Sequence, residues 1–63
     1  MNLNKIKGLC REKGITLRTL EELAGLGTNS IYRWEENNPS VEKVKNVADV
    51  LGVTIEELLK EEE

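Results

Sequence analysis

The stretch from Thr16 to Glu36 constrains this chain most: two short apolar stripes at helical spacing meet there across Gly25, Leu26 and Gly27. Leu17, Leu20 and Leu23 or Ala24 recur at the helical interval rather than the alternation of a strand, which predicts a helix from about Leu17 to Ala24. Beyond the glycines, Ile31 and Trp34 repeat that interval and predict a second helix from about Thr28 to Glu36. A link this short sets the two helices at a steep angle to each other. The remaining segments read as support for that pair.

Leu3, Ile6, Leu9 and Cys10 fall on one face of a first helix, with Lys5, Lys7, Arg11, Glu12 and Lys13 on its other sides. Gly14 ends it, because glycine accepts the left-handed conformation found at helix C-termini. Gly8, inside that helix, costs up to about 1 kcal/mol against alanine. Either another backbone approaches closely there or the position is a tolerated surface one. Thr16 stands where an N-cap belongs, its hydroxyl able to accept from a free amide of the next turn.

Asn37, Asn38, Pro39 and Ser40 form the clearest loop, proline blocking helix continuation and Ser40 placed to cap the next helix. Val41, Val44, Val47, Ala48 and Leu51 then recur at helical intervals, which outweighs the strand propensity of valine. Gly52 closes that helix. Thr54 to Glu57 reads as a capping box opening a last helix with Ile55, Leu58 and Leu59 inward. Glu61 to Glu63 reads as a fraying, solvated tail. Nothing repeats and no low-complexity linker divides the chain, so the expectation is a single all-α domain of five helices over residues 1–63.

Length and composition remove several function classes. At 63 residues the chain is one small domain, burying about 60% of its unfolded surface, with no room for a substrate domain. It lacks the apolar run of a membrane span and opens with no signal peptide, which points to a cytoplasmic protein. One cysteine, Cys10, and no histidine make neither an internal disulfide nor a zinc site. A reduced core thiol is the expected state of Cys10, and no metal, cofactor or small-molecule substrate is expected. Without histidine a serine or cysteine nucleophile lacks its usual base, and the carboxylates are scattered over helix faces instead of paired in an apolar pocket. Gly25, Leu26 and Gly27 lack the third glycine and preceding strand of a phosphate loop. The reading is therefore not an enzyme.

The second helix of the central pair carries a different chemistry. Asn29, Tyr32, Arg33 and Glu36 share its outward face, and Thr28 and Ser30 lie at its start. Asparagine pairs bidentately with an adenine edge, arginine with guanine, and threonine or tyrosine touches a thymine methyl or a phosphate. Thr28, Asn29, Tyr32, Arg33 and Ser30 are accordingly candidate base-reading residues for double-stranded DNA. Glu36 could accept from cytosine, but reads more simply as a solvated charge.

Net charge is −3, so bulk attraction to a polyanion is absent, yet Lys5, Lys7, Arg11, Lys13 and Arg18 face only Glu12 in the first third of the chain. Phosphate contact must therefore come from one face. Candidates are Thr16, Leu17, Arg18 and Thr19 at one helix N-terminus, and Asn37, Asn38, Ser40 and Lys43 around the start of the next. Against these stand plainer assignments. Trp34 is a core anchor. Glu21, Glu22 and Glu35 are surface pairs for nearby bases, worth little each, and Lys5, Lys7 and Lys13 are a solvated face.

Gly14, Ile15 and Thr16, then Leu20, Gly25, Ile31, Arg33, Trp34 and Glu35, then Pro39 and Ser40, Ala48, Leu51, Gly52 and Val53, and finally Ile55 to Leu59 stand in an order and spacing that resembles a known family. It is the helix-turn-helix domain of Cro and phage-repressor type transcriptional regulators, and the resemblance spans nearly the whole chain. It implies a compact, lambda-repressor-like fold that binds duplex DNA with its third helix in the major groove and represses by occupying a promoter.

Two positions depart from the family pattern. Leu17 replaces a usual glutamine, leaving its backbone amide rather than its side chain for a phosphate. Glu21 replaces a usual small alanine, bringing a carboxylate near the turn within reach of Arg18 or Arg33. Family members dimerise through added segments or the last helix; this chain, ending just past that helix, reads as a monomer or weak homodimer, an excised domain or an engineered miniature. The competing reading is a protein-interaction module, an antitoxin-like partner binder using the same surface, favoured by the acidic total and by Glu21, Glu35 and Glu36.

Overall fold

The computed structural model describes residues 3–60. Four α-helices and one 3₁₀ helix follow in order: α1 (Leu3–Lys13), α2 (Leu17–Leu23), the 3₁₀ segment (Ile31–Glu35), α3 (Val41–Leu51) and α4 (Ile55–Leu59). The all-α class stands, and no strand occurs among the described residues. The expected acidic tail, Glu61 to Glu63, lies outside them.

The main correction concerns the third helix. Instead of an α-helix over Thr28–Glu36, a turn at Thr28–Ser30 leads into a 3₁₀ helix of 5 residues. Asn29 has a left-handed backbone, φ 64°, which interrupts an α ladder before it starts. Hydrogen bonding then advances in three-residue steps, Ser30 N–H to Gly27 O at 3.1 Å, Arg33 N–H to Ser30 O at 3.2 Å and Glu36 N–H to Arg33 O at 3.1 Å. That spacing defines the tighter helix.

Start and stop chemistry recurs along the chain. The hydroxyls of Thr16, Ser40 and Thr54 accept from the amides of Thr19, Lys43 and Glu57, capping α2, α3 and α4. Thr54 thus makes its half of the expected capping box, whereas the Glu57 carboxylate turns to Lys5 Nζ of α1 at 2.9 Å. Past α1, α2 and α3, Gly14, Gly25 and Gly52 adopt φ near +72°. The amide after each of these glycines reaches back, Ile15 to Cys10 O at 3.0 Å, Leu26 to Glu21 O at 2.7 Å and Val53 to Ala48 O at 3.0 Å. Each is a Schellman closure, and Ile15, Leu26 and Val53 pack on the core as that motif favours.

Ile6, Leu20, Ile31, Val47 and Leu51 are fully buried, joined by Leu3, Cys10, Ala24, Trp34, Val44, Ala48 and Leu58. Helix α1 packs against α2, α3 and the 3₁₀ segment, while α3 also packs on α2 and α4. The radius of gyration is 10.4 Å, close to the roughly 11 Å of a tightly packed chain this long.

The inward stripes fray at their ends. Val41, the first residue of α3, and Leu59, the last of α4, are exposed where the stripe runs beyond its neighbours, and at the end of α2 the capping Ala24 rather than Leu23 turns inward. A Cβ at Gly8 would meet nothing within 4 Å, so of the two readings of that glycine the tolerated position holds.

Candidate nucleic-acid interface

Ile31 and Trp34, three residues apart and both buried, attach the 3₁₀ segment to the core. In a 3₁₀ helix residues three apart eclipse one another, so these two anchors form a single row along the axis. Thr28, Asn29, Tyr32 and Arg33 are exposed, as are Glu35 and Glu36. The half-buried Ser30 differs: its hydroxyl donates to Gly27 O at 2.7 Å, leaving lone pairs but no proton for a ligand.

Expectation failed most clearly at Glu21. It is 2% exposed and makes no ion pair with Arg18 or Arg33. Its Oε1 accepts from the Asn29 amide and its Oε2 from the Ile31 amide, both at 3.1 Å. A segment's first turn leaves amides without partners; here a carboxylate from the preceding helix takes one of them, Ile31's, together with the Asn29 amide of the turn that leads in. The signal was present in the helical wheel. Taking Leu17 as origin and about 100° per residue, Ala24 lies about 20° to one side and Glu21 about 40° to the other, so Glu21 is within the apolar stripe. A carboxylate in that stripe needs partners before it can be buried, and the adjoining turn supplies them.

Around the end of the segment, Ser30, Arg33, Trp34, Asn37, Asn38, Pro39, Ser40 and Lys43 line one shallow, open depression. Two base-reading candidates, Ser30 and Arg33, therefore share a surface with the phosphate candidates Asn37, Asn38, Ser40 and Lys43. Pro39 is half-buried, and Asn37 closes the segment through its amide to Arg33 O at 2.9 Å.

Thr16, Leu17, Arg18 and Thr19 form a separate set at the start of α2. Thr16 Oγ1 donates to Thr19 Oγ1 at 3.1 Å while accepting from the Thr19 amide, so the two hydroxyls orient each other. Leu17 packs its side chain partly on the core, which leaves only its amide facing outward chemistry, as expected for a helix start. Arg18 is exposed.

The basic residues of α1 are partly engaged elsewhere. Lys5 pairs with Glu57, whose carboxyl lies below its ordinary value because it accepts a hydrogen bond from Lys5 and sits in the field of that ammonium, with a smaller pull from Lys60. A Cβ on Gly52 would meet Lys13 Nζ at 3.4 Å, which places that cation at the negative end of α3. The Cys10 thiol is buried and free, and desolvation pushes its pKa above the ordinary thiol value, as a protonated core thiol requires. Among the described residues no cluster could hold a metal ion, and no helix is long and apolar enough to cross a membrane.

A family model described as helix-turn-helix matches residues 6–58, most of the chain. No curated protein and no solved structure matches it.

Proposed function

From the premise that this chain belongs to the DNA-binding helix-turn-helix family of Cro and phage-repressor type, we propose that it reads duplex sequence with the turn and 3₁₀ segment at Thr28–Glu36 in the major groove. Thr28, Asn29, Tyr32 and Arg33 meet base edges, with Ser30 reduced to an acceptor. Thr16–Thr19 and the Asn37–Lys43 surface hold phosphates on either side. Transcription is then repressed by occupation of a promoter, by a monomer or weak homodimer. The observation that carries this reading is the division of one short segment into buried Ile31 and Trp34 and exposed Asn29, Tyr32 and Arg33.

Selection from a random duplex library at modest ionic strength, followed by anisotropy titration and sedimentation of the complex, tests it. The expected outcome is one enriched sequence bound far more tightly than random duplex. A pool that enriches nothing refutes it. The partner-binding alternative retains exposed Glu35 and Glu36 in its favour but loses Glu21, whose charge is buried against backbone amides.

A further inference from the structure

Deepening the DNA-binding reading, on which it rests, we propose that Glu21 is a positioning residue for base recognition: its carboxylate, holding the Asn29 and Ile31 amides, sets the angle at which the segment presents Asn29, Tyr32 and Arg33. Because Ile31 and Trp34 form one row, their burial resists displacement of the segment more than rotation about that row. Resisting the roll takes contacts off the row and more than one of them, since a single hydrogen bond acts as a pivot. Glu21 supplies two, to amides two residues apart, at equal 3.1 Å lengths.

The Ser30 hydroxyl ties back only to Gly27, inside the same turn, and Ser30 gives the segment no side-chain cap. Glu21 is itself held at the C-terminal end of α2, where its carbonyl accepts from Leu26 at 2.7 Å. The carboxylate is therefore a fixed strut between a buried helix and the reading edge. Bidentate base contacts tolerate about 10–20° of misorientation before they fail, so a small roll alters which bases are accepted without removing any contacting side chain.

Glu21→Gln, of the same shape, tests this. One of its terminal atoms becomes an NH₂ that faces a backbone N–H, so one of the two ties is lost and the other kept. Wild type, Glu21→Gln and, as a control that removes buried volume on α4, away from the reading segment, Leu58→Val are compared on the selected duplex and on random duplex, well below all melting temperatures. The expected result is a fall of about tenfold in the preferred-to-random affinity ratio for Glu21→Gln, the size of one lost bidentate base contact. Random-duplex affinity should stay within about twofold, since phosphate contacts are untouched, and Leu58→Val should keep the wild-type ratio. Amide resonances of Asn29 and Ile31 should move in Glu21→Gln while the Trp34 fluorescence stays put. An unchanged ratio in a folded Glu21→Gln overturns the proposal and leaves DNA binding standing; a wild type that enriches no duplex brings down both. Should Glu21→Gln not fold, the wild-type complex decides. Slow exchange of the Asn29 and Ile31 amides with the selected duplex bound supports the strut, and rapid exchange there refutes it.

Discussion

Asn29 combines two demands that its substitutions can separate. Its backbone is left-handed, φ 64°, and its side chain is exposed beside Tyr32 and Arg33. An ordinary L-residue pays roughly 1–2 kcal/mol in that conformation, from which asparagine is partly and glycine wholly exempt. In Asn29→Gly the relief of residual strain is offset by the greater freedom of glycine in the unfolded chain, so stability should stay within about 0.5 kcal/mol of wild type. Asn29→Ala has no such relief and should lose about 1 kcal/mol, lowering Tm by about 4–8 °C in a domain this small. Neither change touches the amide that Glu21 holds. Both delete the carboxamide, so both should lose the same roughly 5- to 150-fold affinity for the preferred duplex, corresponding to one bidentate base contact. Circular dichroism melts and anisotropy titrations measure the two effects independently. A glycine variant that melts with the alanine variant refutes the backbone argument, and one that binds the preferred duplex like wild type removes Asn29 from the reading surface.

Arg33→Ala should cost about 1–3 kcal/mol on the preferred site and relax its sequence requirement; equal losses on specific and random duplexes would make Arg33 a phosphate contact. Gly8→Ala, in open space on α1, should stabilise the chain by about 0.5–1 kcal/mol, read as a rise in Tm; a fall would mean the helix needs the missing side chain. Lys5 holds the Glu57 carboxyl below its ordinary value, so the Lys5–Glu57 pair favours the folded state above the ordinary carboxyl pKa and stops doing so as pH falls through the lower folded value. Glu57→Gln should therefore narrow the Tm difference between neutral and strongly acidic solution, and an unchanged difference would show that the pair contributes nothing to the acid response.

Most of the architecture was readable because each boundary carries its own local chemistry. Gly14–Ile15, Gly25–Leu26 and Gly52–Val53 each pair a left-handed glycine with an apolar residue that folds back, and Thr16, Ser40 and Thr54 each supply a capping hydroxyl. Those signals act within a few residues and depend little on the rest of the fold. Two features were hidden because they depend on contacts made at longer range. The 3₁₀ geometry of Ile31–Glu35 results from the backbone of Asn29, a residue whose identity permits a left-handed turn without demanding one. The burial of Glu21 depends on where the amides of Asn29 and Ile31 come to rest, eight and ten residues further on. Its place in the apolar stripe was visible, but the partners that make a buried carboxylate tolerable appear only when the turn is folded.

The charge balance yields a last prediction about how an acidic chain holds a polyanion. Of the proposed phosphate and base contacts only Arg18, Arg33 and Lys43 carry positive charge; Thr19, Asn37, Asn38 and Ser40 donate hydrogen bonds without displacing counterions, while Thr16 gives its proton to Thr19 and orients that neighbour. Each neutralised phosphate contributes about −0.9 to the slope of log K against log salt, so two or three such contacts predict a slope between about −2 and −3. Raising salt fourfold should then weaken binding by roughly 10- to 40-fold, a shallow response for a DNA-binding domain. The exposed α1 cations Lys7 and Arg11 are the discriminating groups. A slope near −5 that Lys7→Gln and Arg11→Gln bring back to about −3 would mean the duplex lies along α1, and the orientation proposed from the Ile31–Trp34 row would be wrong. Zero slope would remove Arg18 and Lys43 from the phosphate contacts and leave only uncharged donors to orient the reading segment.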